Sequence, residues 1–217
     1  MRVPMPKDAG NPERPSRVLP SSFTSARLRA VRLQPADFDE LRRMHTDSAV
    51  MAHLGGVRDE KQTRDYLEVN LRHWRDFGFG LWIVYERRGF EPIGRALLRY
   101  LRVDGIDELE IGYALYQPYW GRGLATEIAT ACIDYGRRHL AGQRFFALVS
   151  PGNDASRRVL QKVGLQYLRE FSLENTPHDL FGSESTRVPD GGSQDPRKEP
   201  PGTDVKNLRV EPPEAPS

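Results

Sequence analysis

Apolar residues change their spacing several times along the chain, and each spacing predicts a different kind of element. In ARLRAVRL, Leu28 and Ala30 alternate with arginines, which predicts a strand with one solvated face. The segment PADFDELRRMHTDSAVMAHL begins with a proline suited to a first helical turn, and its apolar residues then recur at helical spacing. We therefore expect the folded part to open on a strand followed by a helix.

A second helix and two strands are predicted next. Asp59 and Gln62 have the spacing of a capping box, in which each side chain accepts a hydrogen bond from the other residue's backbone. Apolar residues, among them Leu67 and Leu71, then follow on one helical face. The segments FGLWIVYERRG and PIGRALLRYLRV are typical of strands and are separated by a turn around Gly89.

The second half of the pattern alternates strands with helices. ELEIGYALYQ and RFFALVS are predicted strands, and a largely buried helix is expected from Gly123 to about His139. NDASRRVLQKVG predicts a short helix capped by Asn153 and ended by Gly164, after which QYLREFSL returns as a strand. Early hairpins and late crossovers together predict an α+β (mixed α/β) domain.

The distribution of prolines predicts where this domain ends. Of the 17 prolines, five fall in the first 20 residues and seven lie between residues 189 and 216. The final segment has few apolar residues and no aromatics, so it cannot bury enough surface to offset its ordering entropy. We expect disordered tails over residues 1–23 and 183–217 and a folded domain over residues 24–182, with the tails as solvated extensions.

Charge and cysteine content narrow the class of protein. A formal net charge of +2 gives no indication of a nucleic-acid or polybasic membrane partner. The lone cysteine, Cys132, rules out an internal disulfide and fits a reducing compartment. No segment has the apolar length of a membrane span, and residues 1–25 lack the hydrophobic stretch of a signal peptide. A cytoplasmic protein is the expectation.

The segment YWGRGLATE carries the clearest candidate chemistry. A nucleoside-triphosphate loop needs a lysine followed by serine or threonine, and a dinucleotide loop needs a third small residue where Thr126 stands. Gly121, Gly123 and Ala125 instead leave backbone amides uncovered at the start of a helix, where an anion is favoured and Arg122 adds charge. A tight strand-to-helix turn with no ligand explains the same glycines.

Two longer segments resemble a known family. EIGYALYQPYWGRGLATEIATACIDYG, followed by NDASRRVLQKVGL, resembles the acetyl-CoA core of the GNAT-superfamily N-acetyltransferases, especially the branch that contains the ribosomal-protein-alanine acetyltransferases. The resemblance runs from about Arg27 to Phe171 and is most distinctive from Glu110 to Leu165. It implies the GNAT fold: a mostly antiparallel twisted sheet, flanked by helices, in which a splayed parallel strand pair binds acetyl-CoA.

The resemblance also implies which residues hold the donor. The backbone of Tyr113, Ala114 and Leu115 is expected to bind the pantetheine arm. Asn153 matches a residue that hydrogen-bonds the same arm, although a helix cap explains it equally well. Trp120 stands where arginine or glutamine is common, so packing or cofactor contact is expected of it. The pyrophosphate is expected on the loop formed by Gly121, Arg122, Gly123, Leu124, Ala125 and Thr126.

The resemblance assigns catalytic roles to two residues. Glu110 matches the glutamate that removes the proton from the amine, although a glutamate on a strand is commonly just solvated. Ser156 is expected to assist the departing thiolate, because Leu160 occupies the position where many members carry a tyrosine. The alternative for Ser156 is a plain residue of a first helical turn. A backbone amide of the splayed strand, that of Leu115, is expected to stabilise the oxyanion.

These expectations combine into an acetyl-CoA-dependent N-acetyltransferase that acts in a ternary complex. The acceptor is a primary amine, either a protein N-terminus or a small molecule. No metal is expected, because the five histidines show no paired ligand spacing. A monomer or homodimer is expected. The alternative is a non-catalytic acyl-CoA-binding module with tails that engage a protein partner, motivated by the missing tyrosine and by a last strand that looks short or absent after EFSLENTPHDLFG.

Overall fold

Eight strands form one sheet in the computed structural model, which describes residues 19–140, 144–173 and 175–183. The order across the sheet is β1-β2-β3-β4-β5-β6-β8-β7. The strands are β1 (Ser22–Thr24), β2 (Leu28–Arg32), β3 (Leu81–Glu86), β4 (Pro92–Val103), β5 (Ile106–Leu115), β6 (Phe145–Val149), β7 (Gln166–Leu173) and β8 (Thr176–Gly182).

Five α-helices flank this sheet within the described residues, and none of them is long and apolar enough to cross a membrane. The predicted capping box is confirmed, because Asp59 accepts from the Gln62 amide and Gln62 accepts from the Asp59 amide at the start of the third helix. The helices are α1 (Phe38–Thr46), α2 (Ser48–Met51), α3 (Glu60–Phe77), α4 (Leu124–His139) and α5 (Asp154–Lys162).

One strand pair in the sheet is parallel, and it is very short. β5 and β6 are joined by the crossover helix α4, as parallel neighbours require. Their ladder contains two pairs of residues, Leu109 with Phe145 and Glu110 with Phe146. Beyond Glu110 no further ladder pair joins these two strands, so they diverge toward their carboxyl ends. The predicted fold, a mostly antiparallel sheet with a splayed parallel pair, is confirmed.

The domain begins earlier than the predicted boundary at residue 24. Leu19 is buried, and β1 pairs with β2. Trp82 donates its indole N–H to the carbonyl of Ser21 at 3.1 Å, and the Tyr135 hydroxyl donates to the carbonyl of Pro20 at 2.8 Å. These partners are distant in sequence. The proline-rich composition of the segment therefore gave no indication that it packs against the domain. The predicted disorder of residues 1–18 and 184–217 concerns positions outside the described residues.

The segment EFSLENTPHDLFG itself ends in a strand that was not predicted, and the positions after it, where a short or absent last strand was expected, lie outside the described residues beyond Ser183. β8 has seven residues and lies between β6 and β7, with Leu180 and Phe181 buried. Asn175 turns the chain with φ 61°, and the polar residues around this turn gave the segment the composition of a tail. Pro177 pairs with β7 in a part of β8 that β6 does not reach, where a missing N–H is tolerated.

Candidate active site

The glycine segment forms the start of α4, as predicted. Gly121 and Gly123 both have φ 72°, a left-handed conformation that glycine adopts without steric cost. Gly123 is the N-cap and offers no side chain to bind the amides of the first turn. The amides of Leu124, Ala125 and Thr126 therefore remain available at the positive end of a 16-residue helix. This geometry favours an anion at the loop.

Charged side chains around the loop are already engaged with one another. Arg122 forms an ion pair with Glu86 at 2.7 Å, and Arg27 donates to the carbonyl of Arg122 at 3.0 Å. Glu127, in the first turn of α4, accepts from Ser25 and Arg27. Burial by itself would raise the pKa of Glu127, but the hydrogen bonds from these two residues lower it on balance. The acidic residue closest to the helix start is thus bound to a cation.

Trp120 fixes the loop to the end of β5. Its indole Nε1 donates to the carbonyl of Leu115 at 2.7 Å, and the side chain is 49% exposed. Leu115 is one of the three residues expected to bind pantetheine through the backbone, and its carbonyl is occupied by this bond. The indole therefore contributes shape to the loop, and half of its surface stays open to solvent.

A second group of candidate residues meets where β5 and β6 have diverged. Asn153 caps α5 by accepting from the Ser156 amide at 3.0 Å. The hydroxyls of Ser156 and Tyr113 lie 2.9 Å apart. Burial raises the pKa of Tyr113 to about 12, so its hydroxyl stays protonated at neutral pH. Leu160, at the position where a tyrosine is common, is buried in the core.

The position of the Tyr113 hydroxyl was not predicted from the sequence. The position where many members carry a tyrosine is occupied by Leu160, and Tyr113 was expected to contribute backbone groups only. The structure instead brings its hydroxyl from the strand to the first turn of α5, 43 residues away. Strand alternation places this ring on the face with Leu109 and Ile111, which α4 and α5 cover, and that alternation was the signal.

Glu110 is buried, which excludes the interpretation of a solvated surface glutamate. It is 6% exposed, and Arg99 of β4 donates to its Oε2 at 2.5 Å. Glu110 and Tyr113 are three residues apart on one strand, so they lie on opposite faces of the sheet. Glu108, two residues away on the same face as Glu110, forms a separate ion pair with Arg144.

The register that joins Arg99 to Glu110 follows from the turn between their strands. Asp104 and Gly105 both have positive φ, 51° and 80°, and link β4 to β5 as a two-residue hairpin loop. Asp-Gly between strand-like segments is a strong signal for this loop. It places Arg99 directly opposite Glu110, so their ion pair could have been predicted from the sequence.

Helices α1 and α2 cover the other face of β5. Ala114 packs with Met44, Val50 and Tyr116 in a small apolar cluster. Ser150, just after β6, donates its hydroxyl to the carbonyl of His53 at 2.8 Å and so ties the end of β6 to the segment after α2. The gap between β5 and β6 is thus bounded by α5 on one face of the sheet and by α1 and α2 on the other.

Other candidate groups do not form a site. Cys132 is fully buried in α4, and burial raises its pKa to about 12. In the part of the chain that the structure describes, no three His, Cys, Asp or Glu side chains are grouped so that they could hold a metal ion.

The chain is similar to several known proteins. Residues 27–166 match the family model described as an acetyltransferase (GNAT) domain. The protein YkkB of Bacillus subtilis is 33% identical over 142 residues, which cover 65% of this chain and 83% of YkkB. An acetyltransferase from Agrobacterium tumefaciens superposes with a TM-score of 0.67 at 24% identity, covering 80% of this chain and 99% of that one. RimL, a ribosomal alpha-N-protein acetyltransferase solved with coenzyme A, gives 0.60 at 16% identity, covering 76% and 97%.

Fold and site together define an acetyltransferase. More particularly, the chain belongs to the GNAT acetyltransferase family. Acetyl-CoA fits the site as the donor. Its diphosphate matches the uncapped amides at the start of α4, and its amide-bearing pantetheine arm matches the unpaired edge of β5.

Proposed function

We propose that this protein transfers an acetyl group from acetyl-CoA directly to a primary amine in a ternary complex. The observation that carries the proposal is the divergence of β5 from β6 at the same edge of the sheet where α4 begins. The backbone of Tyr113, Ala114 and Leu115 lines the diverging strand, and Asn153 lies at the end of the next one. A donor between the strands would place its pyrophosphate at Gly123.

The donor contacts extend along the whole loop in this proposal. The pyrophosphate accepts from the uncapped amides, since these have no side-chain partner. The residues proposed to bind the donor through the loop are Gly121, Arg122, Gly123, Leu124, Ala125 and Thr126.

Glu110 is proposed to remove the proton that an ammonium must lose before it can attack. The amine nitrogen then bonds to the thioester carbon, and the C–S bond breaks as the tetrahedral intermediate collapses. The position of Glu110 on the face covered by α1 and α2 supports an acceptor on that side. Arg99 donates to Oε2 of the same carboxylate and holds it in this position.

Ser156 and Tyr113 are proposed to return a proton to the departing sulfur. The two hydroxyls form one hydrogen-bonded pair, and the raised pKa of Tyr113 keeps its proton in place until the thiolate appears. The pair lies on the face of β5 opposite Glu110. Base and acid therefore approach the thioester from the two sides of the gap.

The site of action is proposed to be the cytoplasm, with the protein as monomer or homodimer and without a nucleic-acid or membrane partner. The near-neutral charge and the single buried cysteine support this.

Titration calorimetry with acetyl-CoA, followed by a panel of amines and N-terminal peptides, tests the proposed function. We expect binding at or below tens of micromolar and release of free CoA above hydrolysis for at least one acceptor class. Absence of binding would reject the donor assignment. Binding without turnover across the panel would favour a non-catalytic acyl-CoA-binding module.

Removing either hydroxyl of the Ser156–Tyr113 pair is expected to lower kcat by about 100-fold, at the lower end of the range for acid catalysis. Ser156→Ala, Tyr113→Phe and the double variant are to be compared in steady-state kinetics. Because the hydroxyls act as one unit, the double variant should be no slower than the worse single variant. Affinity for acetyl-CoA should stay unchanged. Fully additive losses would separate the two residues and contradict the shared role.

A further inference from the structure

A hollow with a basic lining opens beside the loop at the start of α4. It has a volume of about 710 Å³ and lies between the start of β2 and the turn that joins β3 to β4. Three of its six lining residues are cationic and one is acidic. Such a lining favours an anion. The residues that line the hollow are Ala26, Arg27, Glu86, Arg87, Arg88 and Gly89.

Two positive charges of this hollow are not balanced by a carboxylate. Glu86, its acidic residue, forms an ion pair with Arg122 of the loop at 2.7 Å. Arg87 and Arg88 are exposed, and neither belongs to an ion pair among the residues that the structure describes. Arg87 donates through Nη1 to the carbonyl of Ser25 at 2.9 Å, which holds the guanidinium in place without neutralising its charge.

The hollow is continuous with the loop proposed to bind the pyrophosphate. Arg27 borders both, because its Nη1 donates to the carbonyl of Arg122 at 3.0 Å and its Nη2 lies 3.7 Å from a Cβ built on Gly123. The backbone amide of Arg87 donates to the carbonyl of Arg27 at 2.7 Å, which joins the turn after β3 to the same arginine. The hollow therefore offers a place for a second anion directly beside the first.

Coenzyme A carries such a second anion, a 3′-phosphate on the ribose next to its pyrophosphate. We infer that Arg87 and Arg88 bind this phosphate, so that the turn between β3 and β4 selects acetyl-CoA over its dephospho form. Arginine suits this role, because its planar fork of donors matches the oxygens of a phosphate. The inference rests on the proposed function and adds to it a specificity for the donor.

The other flank of the loop provides a comparison. α5 follows β6, which lies on the opposite side of β5 from β3. Arg158 and Lys162 are exposed on α5 and, in the described part of the chain, belong to no ion pair. Asp154, in the first turn of α5, is likewise unpaired there, whereas the carboxylate of Glu86 is neutralised by its arginine. The flank formed by the β3–β4 turn is therefore the more favourable one for a phosphate.

Titration calorimetry with coenzyme A and with dephospho-coenzyme A tests the selection without turnover. We expect coenzyme A to bind about 10-fold more tightly, at the lower end of the range for hydrogen bonds to charged groups, because the arginines are exposed. The preference should decrease at about 1 M salt, since exposed charges are then strongly screened.

Two double variants assign the preference to one flank. Arg87→Gln combined with Arg88→Gln should bind the two forms nearly equally, and its affinity for the dephospho form should change little. Arg158→Gln combined with Lys162→Gln removes the same number of positive charges and should keep the full preference. Thermal unfolding verifies that both variants are folded.

The possible outcomes separate this inference from the proposed function. Equal affinity of the unmodified protein for the two forms would overturn the inference and leave the proposed function standing. A preference that survives in the Arg87–Arg88 variant, or that disappears in the Arg158–Lys162 variant, would do the same. If neither form of coenzyme A binds, the proposed function fails and the inference falls with it.

Discussion

Replacing Gly123 by aspartate is expected to abolish acetyl-CoA binding while the domain stays folded. The new carboxylate would lie at the start of α4 and would repel the pyrophosphate from the amides of the first turn. A Cβ at this position meets only the Arg27 guanidinium, at 3.7 Å, so no packing is disturbed. Calorimetry should show a Kd weakened by at least about 100-fold, which corresponds to the loss of one or two charge-assisted hydrogen bonds.

Gly105→Asp provides the control for this substitution. Gly105 has φ 80° against 72° for Gly123, and nothing lies within 4 Å of a Cβ built there. Both variants therefore carry a similar left-handed strain of about 1–2 kcal/mol. Thermal unfolding should report comparable stability, while acetyl-CoA affinity stays native in Gly105→Asp. Native affinity in a folded Gly123→Asp protein would refute the loop assignment.

Removal of the Glu110 carboxylate is expected to have two effects, which a double-mutant cycle separates. Glu110→Gln deprives the buried Arg99 of its carboxylate, and breaking a buried ion pair costs about 3–5 kcal/mol of unfolding free energy. Arg99→Met should cost a similar amount. The double variant should recover most of this loss, since no unmatched charge remains. Urea unfolding measures the stability of each variant.

Kinetics of the same variants test the catalytic role. If Glu110 is the base, kcat should fall by about 10²- to 10⁴-fold in Glu110→Gln and remain low in the stable double variant. Acetyl-CoA affinity should change little. Glu108→Gln is the matched control, because this carboxylate shares the strand face but is paired with Arg144. A double variant that regains both stability and rate would leave Glu110 with a structural role.

Much of the fold could be predicted because its signals are local. The capping box of Asp59 and Gln62, the cap at Asn153 and the glycines before α4 each act within a few residues. The loop proposed to bind the donor belongs to the same class, because uncapped backbone amides follow directly from where the helix begins.

Features that escaped prediction depend on contacts between distant segments. Pro20 joins the domain through Tyr135, 115 residues away, and nothing in a proline-rich stretch indicates that partner. The Tyr113–Ser156 pair likewise requires α5 to lie against β5. For Arg95 of β4, the Asp-Gly hairpin predicts the position in the ladder. Its burial without a carboxylate partner among the described residues could not be predicted, because that burial depends on contacts with α3.

Where β5 diverges from β6, one edge of β5 is left unpaired although it lies inside the domain. Exposed edges invite pairing with other chains, and proteins usually blunt or cover them. Here the edge is enclosed by α1 and α2 on one side and α5 on the other, so a whole polypeptide strand has little room to add to it. In the proposed complex, the thin, amide-bearing arm of the donor would complete the sheet as a strand does. The protein thereby keeps open a pairing site that is protected from aggregation by its own fold.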